Sequence, residues 1–321
     1  MSDVSTERQN EKGGVPAIFD TCTPRQDVLI GELAEDQFAA SLADVAHSDD
    51  APKVYSNPEL FFDKTYPTDG LKDLLGRLAT RFVAHHNNEY SGTNGVLRLD
   101  TSFGGGKTHN QIAAYHLAEQ PSSVPDLTDF VTDESVGDSY SEAAALGLSV
   151  ETGVFVGTHV DATSARCDYT DPNAPETKTM WGELAYQLGG ADGYALFSDY
   201  DTDRVAPGES DIEELFELLD DPGLVLIDEV AQYLEQAAAV AVEESTLADQ
   251  TNSFLWSLMR ATQNSDDVTV VLSVAATAFE DKAQQVQELI DDLDAISERT
   301  ERSVTPTEDD EVAEVLKHLL Y

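Results

Sequence analysis

The chain has 321 residues, 41% of them hydrophobic, which predicts a folded protein with one large or two unequal domains. Acidic residues outnumber basic ones by 62 to 18, and the net charge is −44. Because the acids are spread along the chain and lysine and arginine form no basic stretch, the composition argues against direct nucleic-acid binding at low salt. An acidic mimic of DNA is the less favoured alternative.

This charge indicates adaptation to a salt-rich cytoplasm, since molar salt shortens the Debye length to about 3 Å and screens the repulsion. Two cysteines, Cys22 and Cys167, are too few for a disulfide framework. The N-terminus lacks an apolar signal segment, and no run of 18 apolar residues occurs. We therefore expect a cytoplasmic protein without a membrane span.

The first third of the chain is predicted to be a disordered leader, residues 1–14, followed by a helical region, 15–90. In Leu71–Leu78, apolar residues recur three and four positions apart, as on one face of a helix. The aromatic residues Phe61, Phe62 and Tyr66 could stack on an adenine ring, but core packing is the favoured role.

From about residue 91, short apolar runs alternate with helical stretches, which is typical of a parallel α/β sheet. Residues 121–150 are rich in Ser, Asp and Pro and are predicted to form a solvent-exposed insertion. The predicted strands are Val96–Leu99, Val154–Gly157, Leu224–Ile227 and Val268–Val274, and the predicted helices cover about 107–119, 178–188, 211–219, 230–238, 247–262 and 278–296.

A glycine-rich segment follows the first predicted strand and precedes a helix. It reads Thr101-Ser102-Phe103-Gly104-Gly105-Gly106-Lys107-Thr108. Gly104, Gly105 and Gly106 would bring backbone N–H groups close to phosphates, Lys107 would contact the β- and γ-phosphates, and the Thr108 hydroxyl would bind Mg²⁺. Thr101 stands where the usual motif has its first glycine, so a flexible glycine turn with a chance Lys-Thr is the alternative.

A second motif closes the apolar strand Leu224–Ile227 with Asp228 and Glu229. Asp228 could hold Mg²⁺ and Glu229 could polarise an attacking water, which would favour ATP hydrolysis over kinase transfer. The alternative is a solvated strand end. Together, the two motifs predict a P-loop NTPase with ATP and Mg²⁺ as ligands.

Two further groups complete the predicted nucleotide site. The strand Val268–Val274 is expected to lie between the other two and to present Ser273, or Thr277 beyond it, to the γ-phosphate. Arg299 and Arg302 follow the next helix, and such an arginine could reach the ATP of a neighbouring subunit. Salt bridges to the abundant acids are an equal alternative for these arginines.

Metal-like patterns elsewhere are weak. Asp199–Asp203 begins like a calcium loop but lacks the required glycine and final glutamate, so an acidic loop is expected. The histidine pairs His85-His86 and His109 with His116 lack metal-type spacing, and packing or surface roles are expected for them.

The motifs resemble an uncharacterised family of large prokaryotic AAA-type P-loop ATPases, whose genes often lie beside DNA methyltransferases in phage-defence islands. The resemblance runs from about residue 20 to the end and implies an AAA/ASCE-like sheet flanked by helices, ATP binding, hydrolysis, and a part in DNA restriction or modification. It rests on Phe61–Leu71, Thr101–Thr108, Trp181–Gly189 and Asp228-Glu229-Val230.

Members of that family are longer, and this chain ends in a helical pattern, Val312–Tyr321. We therefore expect residues 91–321 to be an ATPase core without a complete C-terminal lid, from a truncated or split gene. Homo-oligomers or partner subunits of a DNA-modifying system are the expected partners, and a missing lid would weaken oligomerisation and turnover. A non-catalytic nucleotide-binding remnant and a P-loop phosphotransferase stay open as alternatives.

Overall fold

The fold is taken from a computed structural model that describes residues 40–99, 106–124, 127–162, 174–273, 302–308 and 311–320. The predicted leader, the predicted helix at 278–296 and both cysteines lie outside these residues. In chain order the elements are α1 Leu42–His47, α2 Lys53–Ser56, α3 Pro58–Asp63, α4 Asp69–His86, β1 Val96–Leu99, α5 Lys107–Glu119, α6 Glu134–Leu146, β2 Glu151–Val156, α7 Met180–Asp203, α8 Glu209–Glu217, β3 Gly223–Asp228, α9 Val230–Ala237, β4 Ala241–Val242, β5 Ser245–Thr246, α10 Leu247–Asn264, β6 Val268–Ser273, β7 Arg302–Val304 and α11 Val312–Leu320.

A parallel sheet organises the molecule, with the strand order β2-β3-β6-β1-β7. Four strands are longer, and β7 adds a three-residue edge. Their continuous apolar sequences suit strands covered on both faces. The short β4 and β5 form a separate antiparallel hairpin. The mixed α/β architecture with a parallel sheet agrees with the prediction.

Helices cover both faces of the sheet, and the alternation of side chains along each strand divides the core in two. Val225 and Ile227 of β3 point to the layer that contains α7, α8, α9 and α10. Leu224 and Leu226 point to the opposite layer, which contains α1, α3, α4, α5 and α6. The N-terminal helices therefore share one core with the sheet.

Residues 121–150 are not the solvent-exposed insertion that their composition suggests. Two short 3₁₀ turns, Pro121–Ser123 and Leu127–Asp129, lead into α6, which packs against α4. Phe130 and Tyr140 are buried in the same core as β1. The prediction was wrong because a polar composition concealed apolar residues at helical spacing, such as Tyr140, Ala143 and Ala144.

Helix α7 is longer than predicted and continues through Gly190, which lies in a non-helical conformation (φ 58°, ψ −143°) and kinks the helix. Asp201 lies near its C-terminal end, in the segment that was expected to be an acidic loop. It is fully buried and accepts hydrogen bonds from Thr179 Oγ1 at 2.6 Å and the Lys178 N–H at 2.9 Å. This carboxylate therefore fixes the start of α7 to its end.

Helix α11 follows β7 and leaves Val312 and Leu316 largely exposed. Among the helices that the structure describes, none combines the length and the apolar character needed to cross a membrane.

Candidate functional site

The candidate site lies at the carboxyl edge of the sheet, where three strands end side by side. Strand β6 lies between β1 and β3, as the sequence predicted, and Leu99 pairs with Ser273 in register. The carboxyl ends of parallel strands are the usual location of ligand sites in open α/β sheets. This arrangement brings residues from three distant parts of the chain to one edge.

The end of the glycine-rich segment lies at this edge. Gly106 caps the start of α5 in a left-handed conformation (φ 83°, ψ 12°), which a glycine adopts readily. Lys107 and Thr108 occupy the first turn of α5, where backbone N–H groups lack helical partners and attract anions. Gly104 and Gly105 lie outside the described residues, so their predicted role stays a prediction.

Asp228 is the centre of the site and is only 2% exposed. Its Oδ2 accepts a hydrogen bond from Thr108 Oγ1 at 2.7 Å, across 120 positions of sequence. Its Oδ1 accepts from the Ser273 hydroxyl and, at 3.0 Å, from the N–H of Glu229. The structure thus joins Thr108, Asp228 and Ser273, three residues that the sequence assigned to one site.

Glu229 follows Asp228 directly and caps the start of α9 in a left-handed conformation (φ 54°, ψ 30°). Burial raises the pKa of its carboxyl group, the neighbouring Asp228 raises it further, and Lys107 lowers it. The influence of Lys107 places its positive charge within electrostatic reach of Glu229. A carboxylate with a raised pKa is common where charge is held ready for a ligand or a reaction.

For Arg302 the structure gives only the position of the backbone. Arg302 begins β7 and pairs with Leu97 of β1, two residues before the strand end at Leu99. Its predicted contact with nucleotide stays a prediction. Thr277 and Arg299 lie outside the described residues.

The aromatic residues Phe61 and Phe62 before β1 form part of the core, as expected, and His109 of α5 packs against Phe61. Phe61 and Phe62 are 1% and 2% exposed. His109 stacks on Phe61 at 4.5 Å between ring centroids, and its Nε2 is 2.8 Å from Thr65 Oγ1. Burial of the ring lowers the pKa of His109 to about 4. Within the described ranges, no group of three or more His, Cys, Asp or Glu residues is placed to hold a metal ion.

Sequence reasoning missed two residues that support the site, Gln111 and Gly157, and one neighbouring segment. Gln111 donates from Nε2 to the Ile227 carbonyl at 3.0 Å and so ties α5 to the end of β3. The Gly157 N–H donates to the Asp228 carbonyl at 2.9 Å. A Cβ on Gly106 would lie 3.4 Å from Thr307 Oγ1, so the segment after β7 lies beside the start of α5. Only the sheet order could have revealed these neighbours.

The arrangement has a defined chemical capacity. The Thr108 hydroxyl and the Asp228 carboxylate are hard oxygen donors, which Mg²⁺ prefers, and both hydroxyl partners of Asp228 can rotate to other acceptors. The start of α5 adds N–H groups and the Lys107 ammonium for an anion. The site can therefore accept an anionic ligand together with a divalent cation.

Two comparisons with known proteins bear on the family of this chain. The first, with functionally curated proteins, gives no match. The model of the DUF499 N-terminal domain matches residues 19–305, which include β1, α5, β3 and β6. Since that match covers most of the 321 residues, the chain belongs to the family of the DUF499 N-terminal domain.

Proposed function

We propose that this chain binds ATP with Mg²⁺ at the carboxyl edge of the sheet and hydrolyses it to ADP and phosphate. The observation that carries the proposal is the 2.7 Å hydrogen bond between Thr108 Oγ1 and Asp228 Oδ2. These are the two residues that a P-loop NTPase uses to hold Mg²⁺, and they belong to separate sequence motifs. Their contact gives the expected P-loop NTPase fold, of the AAA/ASCE type, its strongest support.

The start of α5 would bind the phosphates. Gly106 has a positive φ at the start of the helix, and the N–H groups of the first turn lack partners within the helix. Lys107 would pair with the β- and γ-phosphates, and its charge already acts on Glu229. Gly104 and Gly105 would extend the row of N–H donors.

The oxygen donors of Thr108 and Asp228 fit Mg²⁺, which takes few protein ligands and completes its shell with water and phosphate oxygens. When bound, this ion would neutralise charge on the phosphates. Thr108 would release Asp228 and turn its hydroxyl lone pair to the metal side. Ser273 and the Glu229 N–H would keep the Asp228 carboxylate in place.

Hydrolysis would depend on Glu229. Its carboxylate would orient a water molecule, whose oxygen attacks the γ-phosphorus as the bond to the ADP oxygen breaks. Ser273, on the central strand, donates its one hydroxyl proton to Asp228 and so would support this carboxylate; a contact with the γ-phosphate would require that hydroxyl to turn away from Asp228. A glutamate directly after the metal-binding aspartate favours an ATPase over a phosphotransferase, since its carboxylate can orient a water molecule.

The wider role that we propose is a nucleotide-driven conformational change within a DNA restriction, modification or phage-defence assembly. It rests on the sequence resemblance alone. Turnover measured with and without DNA tests it, and stimulation by DNA is the expected result.

ATP binding is tested by equilibrium binding to the wild type and to Lys107→Ala in molar KCl. We expect Lys107→Ala to weaken binding at least about tenfold, because a charge-assisted contact to phosphate is lost. Lys53→Ala, at an exposed position on α2, is the matched control and should bind as the wild type does. Equal affinities in all three proteins would end the proposal.

Hydrolysis is tested separately by Glu229→Gln. We expect it to bind ATP and to lose turnover by about 10²–10⁴-fold, as for removal of a general base. Glu235→Gln, exposed on α9, should keep turnover. A wild type that binds ATP without hydrolysing it would favour the non-catalytic alternative.

A further inference from the structure

The backbone of Glu229 adopts a conformation that residues other than glycine seldom take. The other described examples outside glycine are Asn88, Arg204 and Glu243. Each of them lies at a helix C-terminus or in the turn between β4 and β5, where left-handed residues are common. Glu229 instead joins a buried strand directly to a helix, so its conformation needs a separate explanation.

Hydrogen bonds hold the backbone of Asp228 and Glu229 from several sides. Gly157, one residue past β2, donates its N–H to the Asp228 carbonyl at 2.9 Å and so extends the β2–β3 pairing. The Glu229 N–H bonds to Asp228 Oδ1 at 3.0 Å. The Glu229 carbonyl accepts from the Gln232 N–H at 3.2 Å. The neighbouring strand end is therefore part of the support.

Gly157 also leaves the space that the Glu229 carbonyl occupies. A Cβ at position 157 would lie 2.2 Å from the Glu229 carbonyl oxygen and 3.0 Å from Tyr233 Cβ. Tyr233 is fully buried and packs edge-on against Phe155 at 5.1 Å, so it cannot move aside. Gly157 is not among the glycines with positive φ, so its own backbone does not require glycine. Glycine is required at position 157 because the Glu229 carbonyl leaves no room for a side chain.

We propose that Gly157 is a positioning residue for hydrolysis: the absence of its side chain permits the left-handed turn that aims the Glu229 carboxylate at the bound nucleotide. The inference rests on the proposed ATPase function. A methyl group at position 157 would push the Glu229 carbonyl away and rotate its side chain, while Lys107 and Thr108 on α5 would be left in place. Substitution should therefore separate turnover from binding.

Gly153, within β2, provides a matched control four residues before Gly157. A Cβ there would lie 3.1 Å from Leu184 Cδ2 and 3.3 Å from Leu188 Cγ, which belong to flexible side chains on α7. Gly153→Ala therefore crowds β2 without touching Glu229. Any general effect of added bulk in or next to β2 should appear in both variants.

The experiment measures ATP affinity, kcat and thermal unfolding in molar KCl for wild type, Gly157→Ala and Gly153→Ala. Gly157→Ala should bind ATP within about threefold of the wild type and lose kcat at least about tenfold. Gly153→Ala should keep kcat within about twofold. In a Glu229→Gln background, Gly157→Ala should change the residual kcat by less than about twofold, because both changes act through one carboxylate.

Several outcomes overturn the inference. A Gly157→Ala protein that folds and keeps the wild-type kcat would overturn it. So would a Gly157→Ala effect on kcat that is as large in the Glu229→Gln background as in the wild type. A wild type that fails to bind ATP removes the proposed function as well, whereas wild-type turnover with an unaffected Gly157→Ala removes the inference alone.

If Gly157→Ala does not fold, a second variant decides. Adding Glu229→Gly frees the backbone at position 229 and should restore the melting temperature. Adding Glu235→Gly to Gly157→Ala should not restore it. Absence of rescue by Glu229→Gly would place the clash elsewhere and would contradict the proposal.

Discussion

The two edges of the sheet each hold a buried polar network, but the networks differ in kind. At the amino edge, the guanidinium of Arg81 donates to Thr269 Oγ1 at 2.7 Å, to Asp266 Oδ1 at 2.9 Å and to the Val268 carbonyl at 2.9 Å. At the carboxyl edge, Asp228 accepts from two hydroxyl groups and one N–H. Both networks join segments that are distant in sequence.

The difference lies in what can be exchanged. Arg81 is paired with an opposite charge, and three of its partners are backbone carbonyls, which cannot turn away. The partners of Asp228 include hydroxyl groups, which can rotate. The negative charge of Asp228 raises the pKa of the neighbouring Glu229, whose backbone is left-handed. The amino edge is thus built for stability, while the carboxyl edge keeps polar groups that a ligand can engage.

The largest effect is expected at the amino edge. Arg81→Met should lower the free energy of unfolding by about 3–5 kcal/mol, since it leaves Asp266 and several carbonyls without their donor. Arg260→Met, at an exposed position on α10, removes a surface pair to Glu209 and should cost about 0–1 kcal/mol. Chemical denaturation in molar KCl measures both. Similar losses for the two variants would break the distinction between the edges.

A smaller effect is expected from Ser273→Ala, which removes one donor to Asp228. We expect kcat to fall about tenfold, with ATP affinity nearly unchanged, because the carboxylate loses one of its three supports. Ser253→Ala, at an exposed position on α10, should leave kcat unchanged. Steady-state kinetics would contradict this role if both variants matched the wild type.

The smallest effect concerns the pH dependence of stability at Glu229. Its pKa is raised in the folded protein, so the ionised carboxylate destabilises the fold above that pKa, and protonation relieves the cost as the pH falls. Glu229→Gln should therefore be more stable than the wild type at pH 7.5, because the glutamine carries no charge that burial and Asp228 disfavour. This difference in stability should shrink as the pH falls toward the ordinary pKa of a glutamate side chain. Melting curves at pH 7.5 and pH 5 measure it, and a difference that grows at low pH would reverse the sign argument.

The sequence predicts the carboxyl edge better than the amino edge for a physical reason. Lys107-Thr108 and Asp228-Glu229 are short local motifs, and the carboxyl ends of parallel strands meet at one edge, so each motif could be recognised before the fold was known. The partners of Arg81 lie up to 188 positions away and form no motif. Gly157 likewise gains its meaning only from the neighbouring strand.

Misassigned elements have equally local causes. Gly189 and Gly190 resemble a helix end, but α7 continues beyond them with a kink. In α6, Ser and Asp on the exposed face concealed the buried Tyr140. Composition describes the solvent face of such a helix, whereas burial follows the few apolar residues at helical spacing.

The most direct test of the central claim is the effect of Mg²⁺ on ATP affinity in wild type and Thr108→Val, which keeps the shape of the side chain but removes the hydroxyl that bonds to Asp228. Thr262→Val, which loses a hydroxyl bonded within α10, is the matched control. We expect Mg²⁺ to strengthen ATP binding at least about tenfold in the wild type and the control, and to have little effect in Thr108→Val. An equal Mg²⁺ effect in all three proteins, or no ATP binding by the wild type, would contradict the account.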